Sequence, residues 1–371
     1  MTLPSSDEIR ARITGAARVR AFAYFAVEPA DTADFAAAAD SIAADRALLG
    51  EVAEVVAQLR EGMGVPLTQT PARLPARFDP HDPDAPLTDR FFYPVAFVGA
   101  LADALAYHRS RAIPDAASRA IFADLGRHLR IFERTFGQTG LHVQDWFALH
   151  LRGLIYDFGR LQGNLTELTG PAADLAAAAV PAPPGAMVID THIPDIGPLT
   201  PAEVDASFGR MSPFFARHFP ELPPLRIAVC TSWLLDEQLQ TLVPGSNIAA
   251  FGARWHPIGP PSDGDWSVRN FVFRRPDAPL DRLTGSSRLE QAVLKHWRSG
   301  AHLQVRTGWC ETAHPQRDSI DFGILSTMSN EPTDDTYDIE EEETATDEGM
   351  PLRPGYDDAN RPEPAESSSD D

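Results

Sequence analysis

The residues best suited to chemistry lie in the second half of the chain. His192 closes the apolar run Met187–Ile193, just before a turn that leads into a helix start. Imidazole titrates near working pH, so a histidine there can act as a general base; the plain alternative is a structural turn residue. Cys230, Thr231 and Ser232 end a second apolar run, with Trp233 and Asp236 close behind. A thiolate at Cys230 is a nucleophile if a histidine or helix N-terminus stabilises it; otherwise it is a small buried hydrophobe. Asp236 stands four residues after Ser232, on the same face if the segment is helical, and can serve as base or orienter or simply as a surface charge. Trp233, Asn247 and Arg254 are the candidate substrate contacts, because loops beyond strand ends are where α/β folds bind ligands.

Several chemistries are excluded by missing backbone signatures. The chain has no G-x-x-x-x-G-K-[ST] phosphate loop, no G-x-G-x-x-G after a strand, no G-x-S-x-G elbow and no H-E-x-x-H. Eleven histidines invite a metal reading, but His108, His128, His142 and His150 show no convincing ligand pair at helical spacing. No metal site is expected.

The elements that must position these residues fall into two groups. Asp31 to about Gly62 is Ala-rich with an apolar stripe (Phe35, Ile42, Val52, Val56, Leu59), which predicts a helix. A segment with six prolines follows, and helical patterning resumes near Arg90 and runs to about Leu168, with breaks at Pro114 and at Gly137–Gly140. No strand is expected before residue 185. Thr169–Ala186, rich in Pro, Gly and Ala, reads as a linker. Beyond it strands are expected at Met187–Ile193, Leu225–Cys230, Ile248–Trp255, Ser267–Phe273 and Ala301–Thr307. Helices are expected at Thr200–His218, Ser232–Leu242 and Ser287–Trp297, the first with a Thr200/Glu203 capping box. This gives a helical domain over 1–168, a linker over 169–186 and a mixed α/β domain over 187–312.

Composition sets further bounds. Net charge is −21, but Glu331–Asp371 holds 16 acidic and two basic residues, so the remainder is only mildly acidic. That tail, 331–371, reads as disordered. An acidic balance argues against nucleic acid as partner. The chain shows no secretory pattern at its start and no apolar run long enough for a membrane span. Two cysteines fit a reducing cytoplasm, and arginine in place of lysine (Lys295 stands alone) suggests a GC-rich bacterial genome.

Three blocks carry a resemblance: DLGRHLRIFERTFGQTGLHVQDWFALHLRGLIYDFGRLQ, HIPDIGPLTPAEVDASF, and CTSWLLDEQL followed by SNIAAFGARW. With these blocks in order, over roughly residues 90–310, the chain resembles bacterial acyltransferases that join an N-acyltransferase-type helical domain to a GNAT-like domain. The resemblance implies transfer of an acyl group from a thioester, of coenzyme A or of an acyl carrier protein, to a small amine. The thioester is then a co-substrate and no bound cofactor is implied. By position, His192 or Asp236 takes the proton and Ser232 serves the thiolate or oxyanion. GNAT enzymes usually carry [RQ]-x-x-G-x-[GA] for the pyrophosphate, whereas this chain has RRPDAPLDRLTGSSRL before the helix at Ser287. Thr284, Gly285, Ser286 and Arg288 are the candidates for that role. Two other readings stay open: a non-catalytic binding or scaffold protein, and a transferase that depends on Cys230.

Overall fold

The computed structural model describes residues 3–312; the acidic segment 331–371 lies outside the described residues. The N-terminal half is helical, as expected. The helix Phe92–Ser110 is its axis, and phenylalanines and small residues bury it from Phe92 through Leu101. Around it pack Ser6–Ile13, Gly15–Tyr24, Pro29–Ala44 and Arg46–Glu61. The expected single helix over 31–62 is two, broken at Asp45, whose carboxylate accepts the N–H groups of Ala47 and Leu48 and so caps the second. Three further helices, Asp115–Phe122, Asp124–Phe136 and Trp146–Leu151, lead toward the sheet.

The sheet has six strands: β1 (Ile155–Asp157), β2 (Gln162–Glu167), β3 (Met187–His192), β4 (Ile227–Ser232), β5 (His256–Asp263) and β6 (Gln304–Glu311). Their order is β1-β2-β3-β4-β6-β5, and every pair is antiparallel except β3–β4. The helix Pro201–His218 makes the crossover between the two parallel strands. Thr200 caps it as expected, accepting the N–H of Glu203 while its hydroxyl donates to the Glu203 carboxylate.

Several expectations are corrected. The sheet begins at Ile155 rather than after 185, so the helical region stops short of residue 168. A continuous buried run, Leu149 to Tyr156, hides the change from helix to strand, and β2 is largely polar in sequence. The supposed linker is a cover for the sheet. Its helix, Ala172–Ala177, brings Leu175 onto Val188, Ile227, Ile258 and Trp309, and Ala178 accepts the Trp309 indole N–H at 2.9 Å. Ile248–Trp255 and Ser267–Phe273 contain the helices Asn247–Gly252 and Asp265–Phe271 instead of strands; Ser246 caps the first by accepting the Ala249 N–H. β5 escapes sequence reading because it holds three prolines, which only an edge strand tolerates. Ser232–Leu242 is a short turn of 3-10 helix and a single α-turn, not one helix. Among the described residues no helix is long and apolar enough to cross a membrane.

The helix Asp124–Phe136 is held close to the chain after Gly15–Tyr24. Gly126 donates its N–H to the Phe25 carbonyl at 2.9 Å, and a Cβ at Gly126 would run into the carbonyl oxygens of Phe25 and Ala26. Gly126→Ala is therefore expected to cost about 2–3 kcal/mol through overpacking. Urea melts of the two proteins measure it; an unchanged midpoint would mean the two backbones can part freely.

Candidate active site

The parallel ladder of β3 and β4 is short. Only Ile189–Ala228 and Asp190–Val229 are paired, although both strands run on, β3 to His192 and β4 to Ser232. Beyond Asp190 the two strands are no longer laddered to each other, which opens the hydrogen-bonding edge between them. His192 stands at the lip of this opening, 2 % exposed. β2 supports it from the other side, in the register Gln162–His192 and Asn164–Asp190.

The ring of His192 is oriented by Asn164. Nε2 lies 2.5 Å from Asn164 Oδ1, while the Asn164 amide nitrogen donates to the Leu165 carbonyl at 3.2 Å. With the amide placed that way, Nε2 carries the proton and the neutral ring keeps its lone pair on Nδ1. Asp190 sits two residues back on the same face, its Oδ2 3.8 Å from Nε2. Burial pushes the Asp190 carboxyl up to about 7, the backbone N–H of Thr191 pulling the other way. A carboxylate beside Nε2–H favours the imidazolium that forms when Nδ1 accepts a proton.

The helical half supplies the opposite wall. The Trp146 ring stands 4.6 Å from the His192 ring, centroid to centroid, at 76°. A narrow crevice is lined by Asp124, His128, Trp146, Gln162, His192 and Pro194. Asp124 is fully buried and accepts the Trp146 indole N–H at 3.0 Å and His150 Nε2 at 2.9 Å; it also pairs with Arg127, and His128 Nε2 lies 3.6 Å away. Burial alone would push its carboxyl up, but His128, the His150 hydrogen bond and Arg127 outweigh that and hold it well below the usual carboxylate range. Among the described residues no group of three or more His, Cys, Asp or Glu side chains could hold a metal ion.

Of the other sequence candidates, Cys230 and Ser232 lie on the β4 side of this opening, and most of the rest have structural partners of their own. Ser232 Oγ accepts the Leu234 N–H at 3.0 Å, starting the 3-10 turn. Asp236, expected to compete with His192 for the proton, is buried and accepts the N–H groups of Gln238 and Gln304, clasping the turn to the start of β6. Cys230 lies in the main core, as does Trp233. Asn247 opens the short helix after Ser246. Arg254 pairs with Asp205 at 2.6 Å and reaches the Pro201 carbonyl at 3.4 Å, so it lies at the first turn of Pro201–His218. Thr284 and Gly285 precede a completed capping box in which the Glu290 carboxylate takes the N–H groups of Ser286 and Ser287; Arg288 turns to the Pro244 carbonyl. Those backbone donors are already answered and make no open anion cradle. A wider cleft of 240 Å³, lined in part by Leu235, Trp255, Arg306 and Gly308, has no histidine on its walls and is not taken as the reaction centre.

Sequence reading misses Asp190, Asn164 and the Asp124 cluster. The signals are present: Asp190-x-His192 puts two ionisable groups on one face of a strand, and Asp124 and His128 are four apart on one helix.

Comparison with known proteins gives a consistent result. Residues 18–153 match the N-acyltransferase N-terminal domain, and residues 155–310 match the GNAT-like C-terminal domain. The structure is similar to that of an acyltransferase in complex with CoA and 10C-teicoplanin, with 30% sequence identity and a TM-score of 0.68 over 81% of this chain and 88% of that one. It is also similar to an acyltransferase in complex with decanoyl-CoA and teicoplanin (32% identity, TM-score 0.66, 84% and 90% covered). A third is an acyltransferase mutant in complex with octanoyl-CoA (32% identity, TM-score 0.65, 84% and 89% covered). Among curated proteins none matches.

Proposed function

The chain belongs to the acyltransferases that join an N-acyltransferase N-terminal domain to a GNAT-like C-terminal domain, and on that premise we propose a medium-chain acyl-CoA as its donor, an amine as its acceptor and His192 as its proton acceptor. The observation that carries this reading is the end of the β3–β4 ladder at Asp190, with an oriented histidine two residues beyond it.

The thioester carbonyl lies in the opening between the two strands. The neutral amine attacks the carbonyl carbon, forming the C–N bond, and its surplus proton passes to His192 Nδ1. The C–S bond then breaks and coenzyme A leaves as the thiolate, which takes up a proton. Asn164 holds the ring and Asp190 steadies the imidazolium, so most of the rate comes from orientation and a placed base. The neighbours hold octanoyl- and decanoyl-CoA, which supports a medium-chain donor, and two of them hold teicoplanin or 10C-teicoplanin. An amine-bearing glycopeptide is accordingly the first acceptor class to try.

The phosphates of coenzyme A are assigned to Arg254, beside the N-terminal end of the helix Pro201–His218, its guanidinium exchanging Asp205 for phosphate oxygens when the donor binds. Arg254→Ala is expected to raise KM for acyl-CoA on the order of tenfold with little change in kcat; equal KM values would remove Arg254 from the donor site. We place the protein in a bacterial cytoplasm, on its arginine-rich, cysteine-poor composition.

Native mass spectrometry with coenzyme A, acetyl-, octanoyl- and decanoyl-CoA, and with an acylated carrier protein, tests the donor. The expected result is a 1:1 complex with the longer CoA esters. Binding of the carrier protein alone would overturn CoA as donor.

A further inference from the structure

We propose that Asp124, in the N-terminal domain, is a positioning residue for the transfer, its carboxylate fixing the Trp146 indole as the wall against which His192 stands. The inference rests on the assignment of His192 as proton acceptor.

A fully buried carboxylate is an expensive way to fill a core, since an apolar side chain of similar volume usually does at least as well. Asp124 is retained in ionised form by four partners on two helices: Arg127 on Oδ1, and Trp146 Nε1, His150 Nε2 and, at 3.6 Å, His128 Nε2 on Oδ2. The Trp146 hydrogen bond fixes the rotation of the indole about its own axis, which packing alone would not. That indole meets the His192 ring edge to face at 4.6 Å. Asn164 holds one nitrogen of His192 from the sheet, so Trp146 and Asn164 pin the ring from two sides. Loss of either pin lets the lone pair wander from the line of the amine proton, and misorientation of that kind lowers rate more than binding. Through Asp124 the helical domain thus controls chemistry done at the end of a strand in the other domain.

The test uses the full chain with decanoyl-CoA and an amine acceptor, in Asp124→Asn, Trp146→Phe and the double variant, with His192→Gln as control. Each single change is expected to lower kcat about tenfold, with KM for acyl-CoA held within about threefold, and the double variant to be no slower than the slower single. Factors that multiply in the double variant would overturn the indole as the link. Single variants within about twofold of wild type, beside an inactive His192→Gln, would overturn the positioning role alone. Wild-type activity in His192→Gln would instead remove the base assignment, and this inference with it. If Asp124→Asn shows no cooperative melt, Trp146→Phe decides, because it removes the indole N–H together with the fused ring and leaves Arg127 and His150 on the carboxylate.

Discussion

Alanine in place of His192 is expected to lower kcat by about 10²- to 10⁴-fold, the range that a well-placed general base contributes. The donor site should survive, because the strand edges and the Pro201–His218 helix end do not depend on this side chain; acyl-CoA dissociation constants should agree within about threefold. His192→Gln keeps much of the volume beside Trp146 but offers no base, so it should be as slow as alanine. Stopped activity with intact donor binding identifies a group that acts on the acceptor's proton. A fall in binding without a fall in kcat would make His192 part of the donor pocket instead. Steady-state kinetics with calorimetric titration of acyl-CoA separates the two.

Asp190→Asn is expected to make the protein slower and more stable at once. Burial raises the Asp190 carboxyl from the ordinary 3.8 to about 7. The folded state therefore holds this proton more tightly than the unfolded chain does. Its stabilising share is complete below about pH 4 and is lost as pH rises through about 7. Above that, folding carries the cost of an ionised, largely buried carboxylate, on the order of a few kcal/mol at about 1.4 kcal/mol per pKa unit. Asparagine removes the cost, so urea melts at pH 8 should show a gain that shrinks toward zero at pH 4. Activity should move the other way. Wild-type kcat should climb as pH passes about 7 and Asp190 ionises beside Nε2–H of His192, and the variant should lose that rise along with about tenfold in rate. Stability that is equal at pH 8 in both proteins would show that water reaches Asp190 freely. The trade is that of a functional site kept at the expense of the fold.

Local chemistry makes some of this legible in the sequence. Thr200 with Glu203, and Ser287 with Glu290, announce helix starts because the hydroxyl accepts the N–H three residues on. The capping box is completed only at Ser287, where Glu290 accepts the N–H in return, while Glu203 takes the Thr200 hydroxyl instead. His192 is legible for a similar reason, as a histidine where an apolar strand meets a turn. Asp236 misleads. It lies four residues beyond Ser232, but the chain there is a 3-10 turn, and a buried carboxylate with backbone donors from both sides is a clasp rather than a base. Asp190 escapes notice because Met187–His192 stands out for its apolar residues, and its environment depends on β2, whose polar sequence does not announce a strand. The Asp124–Trp146–His192 contact joins residues from three elements across two domains, and no periodicity encodes such a meeting. Of the two alternatives to acyl transfer to an amine, the scaffold reading loses ground to the family assignment and the oriented histidine. The Cys230 reading loses ground to the position of that thiol in the core.

Acceptor-dependent release of coenzyme A tests the transfer reaction most directly. Purified protein is mixed with decanoyl-CoA, liberated thiol is followed by a colorimetric reagent, and the acceptor is examined by mass spectrometry. Little release is expected without an amine, fast release with an amine-bearing glycopeptide, and a product heavier by one decanoyl group in amide linkage. Thiol release at one rate whether or not an amine is present, with no acylated product, would mean thioester hydrolysis and would contradict transfer to an amine.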